Sequence, residues 1–356
     1  MEKMKVSTVF GRIGAFIGVT LLMAVLCLYC VMWVCTKGPS EEIRNLFVLS
    51  VRESSAGGFL ASIYLTAEEI AEIEATNTVI ETDEITDVSI VQVAAKQTEA
   101  SEDTKEVVAD TNTFIVESIF DQNIYVENGI EFHDIAGATF TGKMMVVADP
   151  SRVFIGTPRD VYDGQAGLSV PEIADRYEAI AAINGGFFED TNGVGNGGTP
   201  LGLVLSNGKL MYGGTTQAHN LMGFNEDGIL ICGKMTGQQA LDMKIRDGLT
   251  CNPFLIVNGE GLNVSGKGGG LNPRSAVGQR ADGAVLLLTV DGRQATSLGA
   301  SMSDLVDVMQ SFGAVNAGNL DGGGSTVLYY NGEIQNVVMS IYGARGVPDA
   351  VCVRPE

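Results

Sequence analysis

The chain has 356 residues, of which 18% are charged, and carries a formal net charge of −21 with an isoelectric point near 4.4. So acidic a chain repels phosphate backbones, which excludes a nucleic-acid partner. The length allows one or two domains. Beyond the N-terminal apolar segment the cysteines are Cys232, Cys251 and Cys352. Their spacing matches neither a disulfide framework nor a zinc site, although one pair could still form a bridge.

An uncharged and almost wholly apolar stretch runs from Ile13 to Val34. It is long enough to cross ~30 Å of hydrocarbon as a helix. A cleaved signal peptide is the alternative, but its apolar region is normally shorter. Lysines and an arginine precede the stretch, so the positive-inside tendency predicts a cytoplasmic N-terminus at 1–12 and a single-pass signal anchor at 13–35. Everything that follows is then extracytoplasmic.

The segments after the anchor differ in composition. Residues 36–75 form a juxtamembrane segment, in which Thr66-Ala67-Glu68-Glu69 predicts a capping box that opens a short helix. This segment is either a membrane-proximal hairpin or a pairing surface for a neighbouring protein. Residues 76–113 are rich in Glu, Asp, Thr and Val, which predicts an acidic, extended and flexible stalk.

The globular part is predicted at 114–356. Turn dipeptides recur between its short apolar runs, and each supplies the positive φ angles of a tight hairpin: Asn207-Gly208, Asp227-Gly228, Asn258-Gly259, Asp282-Gly283 and Asn331-Gly332. The aliphatic run from Ala284 to Val290 predicts a strand buried on both faces. A β-rich domain with many hairpins follows.

Three helices are predicted among the strands. Ser169-Val170-Pro171-Glu172 opens one that ends near Tyr177, and Thr236-Gly237-Gln238-Gln239 opens one that ends near Asp247-Gly248. The third begins at Ser301 or Ser303 and stops at Gly313, with its methionines in the core. The predicted class is therefore α+β: a β-rich mixed-sheet domain with a few packed helices, preceded by one transmembrane helix.

Polar clusters follow apolar strands at several points. They are Ile183-Asn184-Gly185-Gly186-Phe187-Phe188-Glu189-Asp190, Asn272-Pro273-Arg274-Ser275, Asp291-Gly292-Arg293, Gly318-Asn319-Leu320-Asp321-Gly322-Gly323-Gly324-Ser325 and Gly343-Ala344-Arg345-Gly346-Val347-Pro348-Asp349. Their shared position at strand ends predicts one pocket. No nucleophilic triad is recognisable, and the glycines lack the lysine and helix of a phosphate loop.

These motifs, in this order and together with Pro200-Leu201-Gly202, resemble those of the phosphodiester glycosidase family. The resemblance covers about Val126 to Val353 and excludes the anchor and the stalk. Two positions depart from the usual pattern. Ser275 stands where threonine is common, and the segment ending at Asp349 is altered, so no role is assigned to Asp349.

The resemblance implies cleavage of a bond between a sugar C1 and a phosphate oxygen. Arg274 and Arg345, with Arg293 in reserve, would bind the phosphate. Asp321 is the first choice for the carboxylate that attacks C1 or activates water, Asp291 is the second, and Glu189 is a possible acid. The remaining substrate-binding residues would be Asn184, Gly185, Gly186, Asn319, Gly322, Gly323 and Ser325.

The sequence thus predicts an extracytoplasmic hydrolase of sugar-1-phosphodiesters in a cell-surface glycopolymer. The alternative is a non-catalytic protein that binds or assembles such a polymer. No cofactor is expected, although the Asp- and Asn-rich loops could hold calcium, a hard ion that prefers oxygen ligands. The sugar, the aglycone, the stereochemical outcome and any protein partner are not specified by the sequence.

Overall fold

A computed structural model describes residues 6–54, 57–93, 120–191, 194–340 and 343–356. The helices within these ranges are α1 (Val6–Lys37), α2 (Glu41–Arg52), α3 (Ala67–Thr76), α4 (Val170–Arg176), α5 (Gly237–Asp242) and α6 (Met302–Ser311). The first ten strands are β1 (Val79–Ile80), β2 (Asp121–Glu127), β3 (Ile130–Ala136), β4 (Thr141–Val147), β5 (Val153–Gly156), β6 (Ala181–Asn184), β7 (Val204–Ser206), β8 (Lys209–Tyr212), β9 (Ala218–Asn225) and β10 (Leu230–Thr236). The others are β11 (Ile245–Thr250), β12 (Phe254–Val257), β13 (Glu260–Gly261), β14 (Asn263–Val264), β15 (Arg274–Arg280), β16 (Val285–Val290), β17 (Ala314–Asn319), β18 (Leu328–Tyr330), β19 (Glu333–Ile334) and β20 (Ala350–Val353).

The α+β class is confirmed. An eight-stranded sheet has the order β13-β12-β17-β15-β16-β4-β3-β2, and two five-stranded sheets have the orders β19-β18-β6-β20-β5 and β10-β9-β11-β7-β8. Neighbouring strands in the described residues pair in antiparallel fashion, as in β15 with β17 and β6 with β20, so the sheets are antiparallel and not, as predicted, mixed in strand direction. The largest core cluster draws buried residues from these three larger sheets, which therefore enclose a common interior, while β1 and β14 form a separate two-stranded sheet.

The predicted hairpin turns are confirmed. Each of the five dipeptides lies between two consecutive strands, and Asn258 and Gly259 have φ angles of 54° and 81° between β12 and β13. The predicted buried strand is also present, since every residue of β16 is buried. It pairs with β4 and β15 in the middle of the large sheet.

Helix α6 delivers the polar stretch that follows it. The Ser301 hydroxyl accepts a hydrogen bond from the Asp304 backbone N–H, which completes the predicted cap. The apolar face of α6 packs on the outer face of the large sheet, and Gly313, with a φ of 80°, ends the helix and turns the chain into β17. Strand β17 ends at Asn319, and the chain reaches Asp321 two residues later.

The predicted end of the second helix is wrong. Thr236 caps α5 as expected, but the helix ends at Asp242 and not near Asp247-Gly248. Residues 245–250 instead form β11, which pairs with β9 and β7. Gly248 is the register partner of Gly223 in β9, and a Cβ on Gly248 would lie 3.1 Å from the Gly223 Cα. The local helix signal is therefore overridden by a close strand pairing that the two glycines allow.

The juxtamembrane segment folds as a small helical module. Its helices α2 and α3, with the 3-10 helix Gly58–Ile63 between them, enclose a core of their own. The Thr66 hydroxyl accepts from the Glu69 N–H and the Glu69 carboxylate accepts from the Thr66 N–H, as the predicted capping box requires. We call this unit, residues 41–54 and 57–76, the juxtamembrane module.

The first part of the predicted stalk is packed and not free. Strand β1 pairs with β14, and Thr86 is buried with its N–H donating to the Cys232 carbonyl at 3.0 Å. Gln92 N donates to the Ala281 carbonyl at 2.7 Å. Scattered apolar side chains such as Val91 are buried against the sheets. The average composition of the segment, which is acidic and polar, does not reveal these few buried side chains. The rest of the stalk, 94–113, lies outside the described residues.

Candidate active site

Asn184 joins three strand ends at the boundary between two sheets. It is the last residue of β6 and is fully buried. Its Nδ2 donates to the Asp321 carbonyl at 2.6 Å, and its Oδ1 accepts from the Ser275 hydroxyl at 2.6 Å and from the Val327 N–H at 3.2 Å. Because both ends of the amide are engaged by the protein, Asn184 positions the Asp321 loop.

Two aspartates flank Gly185. The Asp321 backbone N–H donates to the Gly185 carbonyl, and the Gly185 N–H donates to the Asp349 carbonyl, both at 3.1 Å. The Asp349 side chain turns back, and its Oδ1 accepts from the Gly186 N–H at 2.6 Å. Asp349 is fully buried, whereas Asp321 is partly open to solvent. The structure thus brings together Asn184, Gly185, Gly186 and Asp321, as predicted.

Both carboxyl groups have raised pKa values. Loss of surrounding water raises the pKa of Asp321 to about 6, although hydrogen bonds from Ser325 and from the Gly322 N–H act in the opposite direction. Burial raises the pKa of Asp349 to about 7, and the negative charge of Asp321 adds to this rise. Two acidic groups that titrate near neutral pH in one place are typical of an acid–base site.

Arg345 supplies positive charge beside the pair. Its Nη1 lies 2.7 Å from Oδ2 of Asp190, its Nη2 donates to the Gly195 carbonyl at 2.8 Å, and its guanidinium lies 4.7 Å from the ring centroid of Phe188. The hydrogen bond from Arg345 lowers the pKa of Asp190. The positive charge of Arg345 also acts to lower the pKa of Asp321. Arg345 therefore interacts with Asp321 through its charge.

Arg274 belongs to a second cluster. Its Nη2 lies 2.7 Å from Oε2 of Glu53, a residue of the juxtamembrane module, and its Nε donates to the Ala300 carbonyl at 3.2 Å. The side chain of the next residue, Ser275, points to Asn184, because successive residues of a strand face opposite sides. The backbone of Arg274 lies close to the turn that follows Asp321, since a Cβ on Gly322 would be 3.7 Å from Arg274 Cα, but the Arg274 side chain pairs with Glu53.

The carboxylate of Glu53 is held by several donors. Its Oε1 accepts from the Gly270 N–H at 2.7 Å, and its Oε2 accepts from Asn272 Nδ2 at 2.6 Å in addition to Arg274. Arg293, an exposed residue, donates through Nη2 to Asn272 Oδ1 at 2.9 Å. The cluster thus fastens the juxtamembrane module to the β domain.

Replacing Glu53 with Ala is expected to loosen that attachment. Arg274, whose side chain is only 9% exposed, would keep its charge without the carboxylate that pairs with it. Because Glu53 itself is about one-third exposed, we expect a loss of about 1–3 kcal/mol in unfolding free energy. Thermal unfolding measures the loss, and amide hydrogen exchange over residues 57–76 reports release of the module.

The matched control is Asp282→Ala, which removes an exposed partner of Arg280. Such a surface pair contributes at most about 1 kcal/mol. Equal effects of the two substitutions, with unchanged exchange in the module, would contradict the fastening role of Glu53.

The other predicted residues are dispersed. Asp291 accepts from the Val337 N–H at 3.1 Å, and burial raises its pKa, but its contacts are with Asn336 and Lys143 and not with the Asp321 pair. Glu189 is exposed. The Asn319 amide donates to the Asn252 carbonyl at 2.7 Å and so supports the strand end.

The conformation of the 321–325 turn requires glycine at two positions. A Cβ on Gly322 would lie 2.6 Å from the Pro273 carbonyl oxygen, and Gly323 has a φ of 59°. Ser325 is buried with its hydroxyl toward Asp321. Gly323 also brings the turn close to Arg293, whose guanidinium nitrogens lie about 3.5 Å from where a Cβ would be.

Gly185 has a steric role that a substitution can test. A Cβ at this position would lie 2.0 Å from Oδ1 of Asp349, so Gly185→Ala must displace that carboxylate. We expect activity to fall by roughly 10²-fold, as for a misplaced catalytic group, in a protein that still folds. Gly214→Ala is the control, because a Cβ there meets nothing within 4 Å. Full activity of Gly185→Ala on a sugar phosphodiester would remove Asp349 from the site.

Sequence reasoning missed three groups that the structure brings to these clusters. Asp349 was set aside because its motif is altered, and Asp190 was quoted in a motif without a role. Glu53 lies outside the family motifs and meets Arg274 across 221 positions, so no local signal indicates it. For Asp349, the signal was its place in a strand-end cluster, where β20 begins beside Asn184.

The residues described include no group of three or more His, Cys, Asp or Glu side chains arranged to hold a metal ion. The calcium hypothesis, which also involves Asn side chains and backbone carbonyls, stays a prediction. The three cysteines of the β domain are free thiols and are all buried.

The fold and this cluster define a β-rich domain with an acidic pair at its strand ends. The phosphodiester glycosidase family model matches residues 177–354, which is half of the chain. The chain belongs to this family, and the predicted resemblance is confirmed. The match includes β6, the Asp321 turn and Asp349, and it excludes the juxtamembrane module.

Curated relatives match over more of the chain. The SPbeta prophage-derived uncharacterized protein YomE of Bacillus subtilis is 27% identical over 67% of this chain and 38% of its own length. The N-acetylglucosamine-1-phosphodiester alpha-N-acetylglucosaminidase of Mus musculus is 27% identical over 56% of this chain and 41% of its own length. The chain thus spans about two-fifths of these relatives.

A solved structure shows the same fold. The zebrafish N-acetylglucosamine-1-phosphodiester alpha-N-acetylglucosaminidase catalytic domain, described as auto-inhibited by its pro-peptide, aligns with a TM-score of 0.53 at 22% identity. The alignment covers 66% of this chain and 83% of that one. Membership of the family therefore supports a hydrolase of the phosphodiester glycosidase kind.

Proposed function

We propose that this chain is an extracytoplasmic, membrane-anchored hydrolase that cleaves the glycosidic bond of a sugar-1-phosphodiester in a cell-surface glycopolymer. The observation that carries the proposal is the pair of carboxyl groups around Gly185, Asp321 and Asp349, with pKa values of about 6 and about 7. A mouse relative is named as a glycosidase of a sugar 1-phosphodiester, which supports the same bond.

The reaction breaks the bond between sugar C1 and the phosphate oxygen. Water supplies the hydroxyl group to C1 and a proton to the products, so the sugar and a phosphate monoester leave. The second pKa of a phosphate monoester is near 6, so this leaving group needs little protonation. The larger requirement is a carboxylate for the positive charge that develops at C1.

Asp321 fits that requirement because it is partly open to solvent and is mainly ionised above pH 6. It either attacks C1 or activates the water molecule. Asp349 lies behind Gly185 and still holds a proton in part of the molecules at neutral pH. While Asp349 is protonated, it places no second negative charge beside Asp321 and the incoming phosphate, and this is the role we propose for it.

Arg345 is the cation that we propose for the phosphate. It is anchored by Asp190 and Gly195 and stacked on Phe188, so little side-chain freedom is lost on binding. Arg293, exposed beside Gly323, is the second cation that a phosphate at the 321–325 turn could meet. Arg274 would contribute only through its fixed charge, because its side chain is paired with Glu53 and only 9% exposed. By contrast, the side chain of Arg345 is 23% exposed although Asp190 pairs with it.

Arg345→Ala is expected to weaken substrate binding. A charge-assisted hydrogen bond to phosphate contributes about 1.5–3 kcal/mol, which corresponds to a rise in KM of roughly 10- to 100-fold. Steady-state kinetics on a sugar-1-phosphodiester measures this rise. Arg176→Ala, which removes a surface partner of Asp160, is the control and should leave KM unchanged. An unaltered KM for Arg345→Ala would reject its phosphate role.

The membrane anchor is proposed for α1. Its segment Phe10–Lys37 is the one described helix that is long and apolar enough to cross a bilayer, and only 6% of its most apolar window is buried in the protein. The juxtamembrane module and the β domain then lie on the far side of the membrane from the N-terminus, as the positive-inside tendency predicts.

The deciding experiment separates hydrolysis from binding. The full chain in detergent micelles is incubated with a synthetic sugar-1-phosphate methyl diester, and free sugar and methyl phosphate are quantified. Stoichiometric release of both products supports the proposed hydrolase. Saturable binding of the diester without either product over long incubation would instead support the alternative, a glycopolymer-binding or assembly protein.

A further inference from the structure

The juxtamembrane module exposes apolar side chains in residues 57–64, which include the 3-10 helix Gly58–Ile63 and are called the turn below. Between α2 and α3, Phe59 is 65% exposed and Ile63 is 42% exposed. No charged residue occurs between Glu53 and Glu68, although the chain carries a net charge of −21. Exposed large apolar side chains in an uncharged stretch indicate a surface that is covered in the working protein.

The same turn touches the outer end of α1. The Tyr64 hydroxyl donates to the Tyr29 carbonyl at 2.7 Å, and the two rings lie 4.9 Å apart between centroids. Met32 and Thr36 of α1 are buried. Because positions 29, 32 and 36 share one face of a helix, the last two turns of α1 are covered on one side.

Helix length places this contact at the membrane surface. The uncharged part of α1 begins at Ile13, directly after Arg12. At 1.5 Å per residue, ~30 Å of hydrocarbon takes about 20 residues, so the hydrocarbon would end near Met32 and Tyr29 would lie just inside it. Trp33, which is 53% exposed, lies at this boundary, where aromatic residues typically meet the headgroups. A tilted helix would place Tyr29 deeper and bring the turn further into the bilayer.

We infer that the turn over residues 57–64 inserts Phe59 and Ile63 into the headgroup boundary of the outer leaflet. The inference rests on the proposed anchor, and lipid is the occupant because the turn is continuous with the membrane-spanning segment. An acidic protein gains no electrostatic attraction to an anionic leaflet, so this uncharged apolar turn is the part suited to enter it.

The insertion has a consequence for the active site. Glu53 follows α2 directly and is fastened to Gly270, Asn272 and Arg274. Arg274 is the first residue of β15, and the next residue contacts Asn184. A module seated in the bilayer therefore holds the β domain at the membrane surface in one orientation, where it meets glycosyl phosphodiesters that are attached to or emerge from that surface.

Site-directed tryptophan fluorescence tests the insertion in the full chain. Trp33 is the only tryptophan, so Trp33→Phe provides a background into which Phe59→Trp and Ile63→Trp are introduced separately. Each protein is reconstituted into phosphatidylcholine nanodiscs with or without bromine on the acyl chains near the headgroup. The control is Val126→Trp, a position that is 67% exposed on β2 of the β domain. The native protein, with Trp33 alone, reports on the anchor.

We expect both turn reporters to lose at least as large a fraction of their emission to brominated lipid as Trp33 does, with Val126→Trp unaffected. Quenching of Trp33 without quenching at positions 59 and 63 would overturn the insertion and leave the anchor intact. Absence of quenching at Trp33 would overturn both. Blue-shifted emission that depends on protein concentration and not on brominated lipid would show pairing of two copies and would also overturn the inference. Two positions are used so that one poorly folded variant does not decide the result.

Discussion

Asp321→Asn is expected to reduce sugar release from a sugar-1-phosphodiester by about 10²–10⁴-fold, the range for a carboxylate that acts in the transition state. The substitution keeps the size of the side chain, and Oδ1 of asparagine can still accept from the Gly322 N–H. What is lost is the negative charge at C1. The measurement is kcat under saturating substrate, because the proposed role is confined to the transition state and predicts little change in KM.

Asp291→Asn is the matched control for this effect. Asp291 was the second choice from the sequence, and burial also raises its pKa. Its described contacts are with Val337 and Asn336, so we expect nearly normal turnover. A large loss in Asp291→Asn together with normal turnover in Asp321→Asn would move the catalytic carboxylate to the other strand end.

The parts of this structure that sequence predicts well are encoded locally. Asn258-Gly259 forms its hairpin because those two residues adopt positive φ at little cost, and Ser301 begins α6 through a hydrogen bond three residues away. The prediction that Asn184 and Asp321 lie together also rests on a local pattern, namely polar residues directly after apolar strands. A buried strand must end where the chain turns polar, and β6 and β17 end at the same boundary between sheets.

The parts that sequence could not predict depend on distant residues. Arg274 is a plausible phosphate ligand until Glu53, far away in the chain, takes its guanidinium. Residues 79–93 look like a stalk by composition, yet Ile85 lies on Gly233, which has no side chain to exclude it. The importance of Asp349 rests on a hydrogen bond from Gly186, which is 163 positions away. Each outcome follows from a pairing of surfaces that no local pattern specifies.

The second large effect that we expect is a change in the pH dependence of stability in Asp349→Asn. The pKa of Asp349 is about 7 in the folded protein and about 3.9 in an unfolded chain, so the folded state binds more protons between these values. Its contribution to stability is complete below about pH 4 and is lost as the pH rises toward 7. As the pH rises from 5 to 8, the titration of Asp349 alone should lower the unfolding free energy by about 2–3 kcal/mol.

Asparagine does not titrate, so this part of the pH dependence should disappear in Asp349→Asn. Urea unfolding of the wild type and the variant in the same detergent measures the difference at each pH, and any constant cost of the amide cancels from the slope. Asp190→Asn is an informative contrast, because its pKa is lowered, chiefly by Arg345, and its stabilisation is lost as the pH falls. Parallel curves for wild type and Asp349→Asn would show that Asp349 is ionised throughout.

The same measurement connects stability with function. An ionisable group that is fully buried and destabilises the fold at neutral pH is costly, and such a cost is typical of active sites. If Asp349 holds its proton while Asp321 is ionised, turnover should be greatest between about pH 6 and about pH 7, where this combination is most populated. Asp349→Asn should lose the alkaline limb of that profile and keep the acidic one. Retention of both limbs in the variant would assign the second titration to a different group.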